Sequence, residues 1–196
     1  MSKAVLISIQ PKWCEKIANG EKTVEVRKTR PKLKTPFKCY IYCTKPRFPH
    51  EDHITLFDKQ RCFYAGGKVI GEFMCREVEC FTTDYRADKD QTQRISRQSC
   101  VDMVSLTEYE YNAACLFGWH LSDLQIYDTL KELSEFTPSC RYGEDGECLK
   151  SKEVLCLYQK HDFNPDGSVN LVSCSRRAKR PPQSWCYVEE LPGGDG

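Results

Sequence analysis

The sequence predicts an α+β protein, a small mixed β-barrel, closed or half closed, with short helices and an irregular C-terminal extension. Extended apolar segments recur through the first 136 residues, and only short helical patterns separate them. This order lacks the regular βαβ alternation of a Rossmann-type sheet and favours a small barrel. The 196 residues are 40% hydrophobic and include 3 Trp, 10 Tyr and 9 Phe, which is enough for a substantial core.

The first strand is predicted over residues 5–9, which are apolar, and a helix follows it. Pro11 suits the first position of a helix, and Asn19-Gly20 is typical of a helix end. Trp13 and Ile17 lie on one side of this helix. We therefore expect Trp13 to pack into the core.

A second strand is predicted over residues 23–27, where the side chains alternate between two faces. Glu25 and Arg27 would share one face and form an ion pair, whereas Lys22 would lie on the opposite face. The simplest structural role of the pair is a cross-strand brace on the surface, where ion pairs contribute little to stability.

The remaining predicted elements are a third strand at residues 39–43, a long bulged strand at 68–81, a short helix that starts at 106–109 and a closing strand at 119–128. Residues 45–66 are expected to be irregular, because they contain proline and glycine breakers. Residues 83–97 are charged and polar and are expected to be a surface excursion. Thr107 is predicted as the N-cap of the short helix, with Glu110 three residues later, and Gly118 as its end.

Positive charge is concentrated in one segment, although 29 Lys and Arg against 28 Asp and Glu leave a net charge of only +1. No acidic residue interrupts a run of eight cations: Arg27, Lys28, Arg30, Lys32, Lys34, Lys38, Lys45 and Arg47. Such a cluster attracts phosphates whatever the net charge, and the interleaved aromatic rings offer faces for unpaired bases. The alternative is a solvated strand edge that Lys and Pro protect from pairing.

The cysteine content and the hydropathy pattern favour an intracellular, cytoplasmic protein. The 13 cysteines are an odd number in a chain without a signal-peptide pattern, so we expect reduced thiols. Cys39 and Cys43 alternate with tyrosines, as small buried hydrophobic residues would. No apolar stretch approaches the roughly 20 residues of a membrane-spanning helix, so no membrane partner is expected.

Gly20, Lys22, Glu25 and Arg27 form the pattern Gly-x-Lys-x-x-Glu-x-Arg, which resembles the signature of the ASCH domain, a small β-barrel family in the PUA-like superfamily. A strand and a helix with a tryptophan precede the motif, as in that family. The segment Trp119-His120-Leu121 also resembles the closing strand of such barrels. The resemblance covers residues 4–136.

The resemblance implies a pocket beside the motif that binds RNA or a nucleotide, in a family linked to RNA metabolism. The residues expected to contact the ligand are Lys22, Glu25, Arg27, Lys28, Arg30, Lys32, Lys34 and Trp119. Of these, the tryptophan would stack on a base at the mouth of the barrel. His120, beside it, is expected to have a structural role.

One bacterial branch of the family is an amidohydrolase that acts on acetylated cytidine through the motif lysine, a threonine three residues later and a distal glutamate. Lys22 matches the nucleophile, Glu25 stands in the place of the threonine, and Glu108 and Glu110 are candidates for the distal acid. A carboxylate favours the ammonium form, whereas a nucleophilic lysine must lose its proton. We therefore expect a binding module rather than a hydrolase. A third hypothesis is a protein-interaction module whose basic loop binds an acidic partner.

The character of the sequence changes near Pro138, which predicts an ASCH domain at 1–137, a cysteine-rich basic extension at 138–191 and a disordered tail at 192–196. Candidate zinc ligands in the extension are Cys140, Cys148, Cys156 and Cys174, with His161 between the last two. They lack the closely spaced pair that structural zinc sites usually contain. No metal or other cofactor is therefore expected.

Overall fold

The computed structural model describes residues 2–46, 48, 52–84, 88–138 and 180–191. The strands are β1 (Lys3–Ile9), β2 (Val24–Arg27), β3 (Phe37–Cys43), β4 (His53–Leu56), β5 (Arg61–Tyr64), β6 (Lys68–Phe81), β7 (Leu116–Glu132) and β8 (Trp185–Glu189). The α-helices are α1 (Pro11–Ala18), α2 (Lys89–Ser99) and α3 (Met103–Glu110), and a 3₁₀ turn covers Leu133–Glu135. None of these helices is long and apolar enough to cross a membrane.

Six strands form one mixed sheet in the order β2-β7-β6-β3-β1-β8, and β4 and β5 form a separate hairpin. The pair β1/β3 is parallel, whereas the other neighbours in the sheet are antiparallel. This confirms the α+β class. The predicted barrel closure is not seen in the described part of the chain, because β2 and β8 remain at opposite ends of the ladder.

Strand β6 and its partner β7 carry register shifts, one of them between Cys75 and Glu77. This confirms the bulge expected in the long strand of residues 68–81, and such shifts bend a strand and increase its twist.

Strand β1 lies inside the sheet and is covered on both faces. Val5 and Ile7 pack into one apolar cluster with Trp119, whereas Ala4 and Leu6 pack into a second cluster with Tyr40. Burial on both faces explains why this strand is an uninterrupted apolar run rather than an alternating one.

Helix α1 begins and ends where the sequence predicts. Pro11 is its first residue and is buried together with Cys14 and Ile17. Gly20 follows the helix with a φ of +74°, a conformation that glycine adopts without strain. The Asn19 side chain then holds the β4–β5 hairpin, donating to the Thr55 carbonyl at 2.7 Å and accepting from the Phe57 N–H at 2.9 Å.

Two segments without predicted elements contain ordered ones, although residues 45–66 were expected to be irregular and residues 83–97 to be a surface excursion. Residues 45–66 contain the β4–β5 hairpin, and residues 83–97 contain most of α2. Helix α2 buries only Thr92, Ile95 and Ser99, so its sequence has no apolar stripe that would reveal it.

The predicted limits of the next helix were also wrong. Helix α3 begins after Asp102, whose carboxylate accepts from the Ser105 N–H, so Asp102 rather than Thr107 is the N-cap. Gly118 does not end this helix but lies inside β7.

The last described residues of the chain return to the sheet. Strand β8 pairs with β1, and Pro138 bridges to Val188. Residues 180–191 therefore belong to the same structural unit as residues 2–138. The physical reason is that Val188 completes the apolar cluster around Tyr40. Most of the predicted extension and the tail at 192–196 lie outside the described residues.

The described cysteines have free thiols, and Cys14, Cys39, Cys43 and Cys75 are buried. Cys39 and Cys43 thus occupy core positions, as predicted. Burial raises the pKa of Cys75 to about 12 and that of Cys39 well above its usual value, so both remain protonated at neutral pH.

Candidate ligand-binding site

A cavity of about 430 Å³ lies between the end of β1, the first turn of α1, strand β2, helix α3 and the residues before β8. Its lining mixes polar and apolar side chains: Ser8, Ile9, Gln10, Trp13, Lys22, Glu25, Val26, Arg27, Thr44, Val101, Ser105, Leu106, Tyr109 and Gln183. Three residues of the motif line this cavity, so the fold places the motif at a pocket of the size that small ligands occupy.

The motif forms a buried chain of charges in which Glu25 lies between two cations. Lys22 Nζ is 3.2 Å from Glu25 Oε2, and an Arg27 guanidinium nitrogen is 2.9 Å from Glu25 Oε1. The side chains of Lys22, Glu25 and Arg27 are 2%, 8% and 11% exposed. The predicted Glu25–Arg27 ion pair is therefore present, but it is a buried group rather than a surface brace.

Lys22 does not face away from Glu25, as the strand pattern had predicted. Strand β2 begins only at Val24, so the alternation of a strand does not fix Lys22. Its backbone N–H donates to the Lys16 carbonyl at 3.1 Å, at the end of α1, and this turn directs the side chain to the Glu25 side.

The ammonium of Lys22 is fully hydrogen-bonded. Besides its contact with Glu25, it donates to the carbonyl oxygens of Val24 at 2.9 Å and Ser99 at 2.8 Å. The Trp13 ring centroid lies 5.3 Å from the nitrogen, within the range of a cation–π contact. All of these acceptors belong to the protein, and the lysine is almost completely buried.

Arg27 connects the two ends of the six-stranded sheet through its side chain. From β2 it donates to the carbonyl oxygen of Ser8 on β1 at 2.6 Å and contacts the hydroxyl of Ser184, next to β8, at 3.4 Å. Its Nε is buried and has no hydrogen-bond partner among the described residues. Arg27 thus spans the gap that backbone pairing leaves open.

The cavity has a net positive charge and aromatic walls. Among the described lining residues, Lys22 and Arg27 are the cations and Glu25 is the anion, so the formal sum is one positive charge. Trp13 and Tyr109 supply rings, and Tyr109 is 40% exposed. The combination suits a flat ring that carries or adjoins a negative charge.

The basic loop between β2 and β3 adjoins the cavity but does not line it. Lys28 follows Arg27 directly, and Arg30, Lys32 and Lys34 are exposed. Cations at these positions can contact the phosphate backbone of a ligand that extends out of the cavity.

Trp119 does not lie at the mouth of a barrel, as the stacking hypothesis required. It is completely buried, with Phe37 and Trp185 rings packed at 5.9 and 6.0 Å between centroids. A buried ring in this position supports the core and cannot stack on a base. The tryptophan at the cavity is Trp13, which was expected in the core and instead packs at its edge.

The candidate distal acids do not reach the cavity either. Glu108 and Glu110 are absent from its lining, and the Glu110 carboxylate accepts from the Thr83 N–H at 2.7 Å. Burial alone would raise the pKa of Glu110, but hydrogen bonds from Thr82 and Thr83 lower it. Glu110 is therefore an ionised carboxylate that connects the end of α3 to Thr83. His120 has a structural partner, Glu79, at 2.5 Å.

Within the described residues, no three His, Cys, Asp or Glu side chains are grouped closely enough to hold a metal ion. Cys140, Cys148, Cys156, Cys174 and His161 lie outside those residues.

Several residues of the cavity carry no sequence signal. Ser8, Thr44 and Gln183 are single polar residues at strand ends or in connections, far apart in the chain. They come together only because the fold places the end of β1, the residue after β3 and the segment before β8 side by side.

Solved structures similar to this chain include an ASCH protein from Zymomonas mobilis, with a TM-score of 0.51 and 18% identity over 95% of this chain and 88% of that one. A serine-to-alanine mutant of that protein gives 0.55 and 16%, over 95% and 89%. A tyrosine-to-phenylalanine mutant gives 0.52 and 17%, over 96% and 92%. The chain therefore has the ASCH fold, as the motif had implied. No family model and no curated protein sequence matches it.

Proposed function

We propose that this protein is an RNA-binding module that takes one nucleotide unit into the cavity beside the motif. The observation that carries the proposal is the buried Lys22–Glu25–Arg27 group, with one net positive charge next to Trp13 and Tyr109. The ASCH fold of the structural neighbours supports the same class of ligand. RNA is recognised largely through splayed bases that stack on aromatic rings and through contacts to phosphate and ribose.

The three motif residues have different roles in this proposal. Lys22 has used its donors on protein acceptors, so it orients Glu25 and supplies charge without touching the ligand. Arg27 lines the cavity and supplies a charged guanidinium for a direct hydrogen bond. Glu25 keeps acceptor capacity on both oxygens and suits a donor group on a base edge.

The amidohydrolase hypothesis has less support from this geometry. A nucleophilic lysine needs a free lone pair that faces the substrate, whereas Lys22 Nζ is buried and engaged with a carboxylate and two carbonyl oxygens. Glu108 and Glu110 are not at the cavity to serve as the acid. Wild-type protein incubated with N4-acetylcytidine should release no acetate in a mass-spectrometric assay. Turnover by wild type that Lys22→Ala abolishes would replace the binding proposal with the hydrolase.

The proposal is tested by titrating ribonucleoside monophosphates and short RNA oligomers into the protein by calorimetry. Arg27→Gln should weaken binding by about tenfold or more, since it removes a charge-assisted hydrogen bond. Tyr109→Ala, on the surface of α3, should also weaken binding while leaving the melting temperature nearly unchanged. The matched control is Arg76→Gln, which removes a surface cation paired with Asp123 on another part of the sheet.

Absence of binding to every nucleotide and oligomer would reject the proposal. Binding of an acidic protein partner in its place, dependent on Arg30, Lys32 and Lys34, would favour the interaction module.

A further inference from the structure

A small platform of one lysine and two tyrosines lies next to the cavity. Lys28 Nζ is 5.2 Å from the centroid of the Tyr109 ring and donates to the Tyr111 carbonyl oxygen at 3.0 Å. Lys28 therefore connects the start of the basic loop to the end of α3. The rings of Tyr109 and Tyr111 are 40% and 75% exposed.

The platform is continuous with the cavity on two sides. Tyr109 is itself a lining residue, and Lys28 directly follows Arg27 in the chain. Because Lys28 lies over the Tyr109 ring and donates to Tyr111, a ligand that extends from Arg27 and Tyr109 towards this side reaches Lys28 and Tyr111. Beyond Lys28, the loop presents further exposed cations at Arg30, Lys32 and Lys34.

An exposed tyrosine beside a lysine matches one kind of partner better than others. Every nucleobase has a flat face that stacks on an aromatic ring, and every internucleotide phosphate carries one negative charge. An acidic peptide would use the lysines but would leave the tyrosine faces without a partner of similar shape. A duplex would keep its bases stacked on each other and away from the rings.

We infer that Lys28, Tyr109 and Tyr111 form a second subsite, which receives the nucleotide adjacent to the one in the cavity, so that the partner is single-stranded RNA rather than a free nucleotide. In this arrangement, Lys28 contacts the phosphate that joins the two nucleotides, and Tyr111 stacks on the second base. The inference rests on the proposed function, because the first nucleotide must occupy the cavity.

Oligomer length provides the test. Adenylate and uridylate ligands of one, two, four and six nucleotides are titrated into the full chain at fixed salt. The second nucleotide should raise the affinity about fivefold or more, the range expected for one base stacked on an aromatic side chain. Tyr111→Ala should remove this increase while mononucleotide affinity stays as in wild type, and Tyr111→Phe should restore it, since stacking needs the ring and not the hydroxyl.

The matched control is Tyr64→Ala, which removes a tyrosine that is 69% exposed on β5. It should leave both the mononucleotide affinity and the length dependence unchanged. Because Tyr111 and Tyr64 are both largely exposed, neither variant is expected to unfold the protein, and thermal melting checks this.

Two failures are distinguishable. If mononucleotides bind through Arg27 but the affinity does not rise with length, or rises equally in Tyr111→Ala, the second subsite is rejected and the proposed function stands. If no nucleotide of any length binds, the proposed function itself is rejected, and the second subsite with it.

Discussion

Two carboxylates in this protein are each held between two basic side chains, yet their surroundings differ. Glu25 lies between Lys22 and Arg27. Glu79 lies between Arg94, at 2.6 Å, and His120, at 2.5 Å, and also accepts from Gln91 at 3.1 Å. The first group lines a cavity, and the second does not line the cavity beside the motif.

The partners of each carboxylate explain this difference. Arg94 and Gln91 belong to α2, whereas Glu79 and His120 belong to the paired strands β6 and β7, so the Glu79 group attaches a helix to the sheet. Glu25 instead joins residues at the ends of elements, where β2, α1 and β1 leave a space between them. The same ion-pair chemistry thus braces the fold in one place and forms a candidate binding site in the other.

The largest effect is expected when the Glu25 group is broken. Glu25→Gln leaves Lys22, whose side chain is 2% exposed, without its negative partner. Removing one member of a buried pair typically costs about 3–5 kcal/mol of the free energy of unfolding. Urea denaturation at pH 7 measures this change. The double variant Lys22→Met with Glu25→Gln should recover part of it, because the uncompensated charge is then removed. A change below about 1 kcal/mol would show that the group behaves as a surface pair.

The Glu79 group should show a smaller effect with a strong dependence on pH. Burial alone would raise the pKa of Glu79, but hydrogen bonds from Arg94, Gln91 and His120 outweigh it and lower the pKa to about 2. Since the pKa in the folded state lies below the usual value of 4.5, the carboxylate stabilises the fold above about pH 4.5. This contribution is lost progressively as the pH falls towards 2.

Glu79→Gln should therefore cost about 3 kcal/mol at pH 7, at about 1.4 kcal/mol for each unit of pKa difference. The difference from wild type should shrink as the pH is lowered from 4.5 to 2. Chemical denaturation curves of both proteins across this interval measure it. A difference that stays constant down to pH 2 would show that Glu79 is not held ionised by these donors.

The contrast between the two groups also shows what could be predicted from the sequence. The motif predicted the Glu25–Arg27 pair and the ASCH fold, because both depend on residues close together in the chain. Helix α1 and strand β6 were predicted at almost their observed bounds, since proline, glycine and a run of apolar residues mark them locally.

The interactions that define the cavity could not be predicted in the same way. Lys22 donates to Ser99 and Arg27 to Ser8, partners that the fold brings together from distant segments. The exchange of roles between the two tryptophans has a similar cause. Trp119 lies on a strand and is completely buried, whereas Trp13 lies on a helix at the edge of the core. No local sequence pattern distinguishes these two positions.

The smallest expected effect is on the salt dependence of RNA binding. If the cavity side binds single-stranded RNA, replacing Arg30, Lys32 and Lys34 together with Ala should weaken binding modestly. The slope of log affinity against log salt concentration should flatten by up to about 0.7 for each phosphate that the loop no longer neutralises. Affinities measured at several salt concentrations give this slope. These residues are exposed, so stability should hardly change.

A matched triple variant on the Glu79 side, Arg76, Lys89 and Arg97 to Ala, removes the same charge from exposed positions away from the cavity. It should leave the slope at the wild-type value, because the phosphates that the protein neutralises, and not its net charge, determine the number of counterions released. Equal flattening in both variants would show that the positive field of the whole surface, rather than the loop beside the cavity, attracts the RNA.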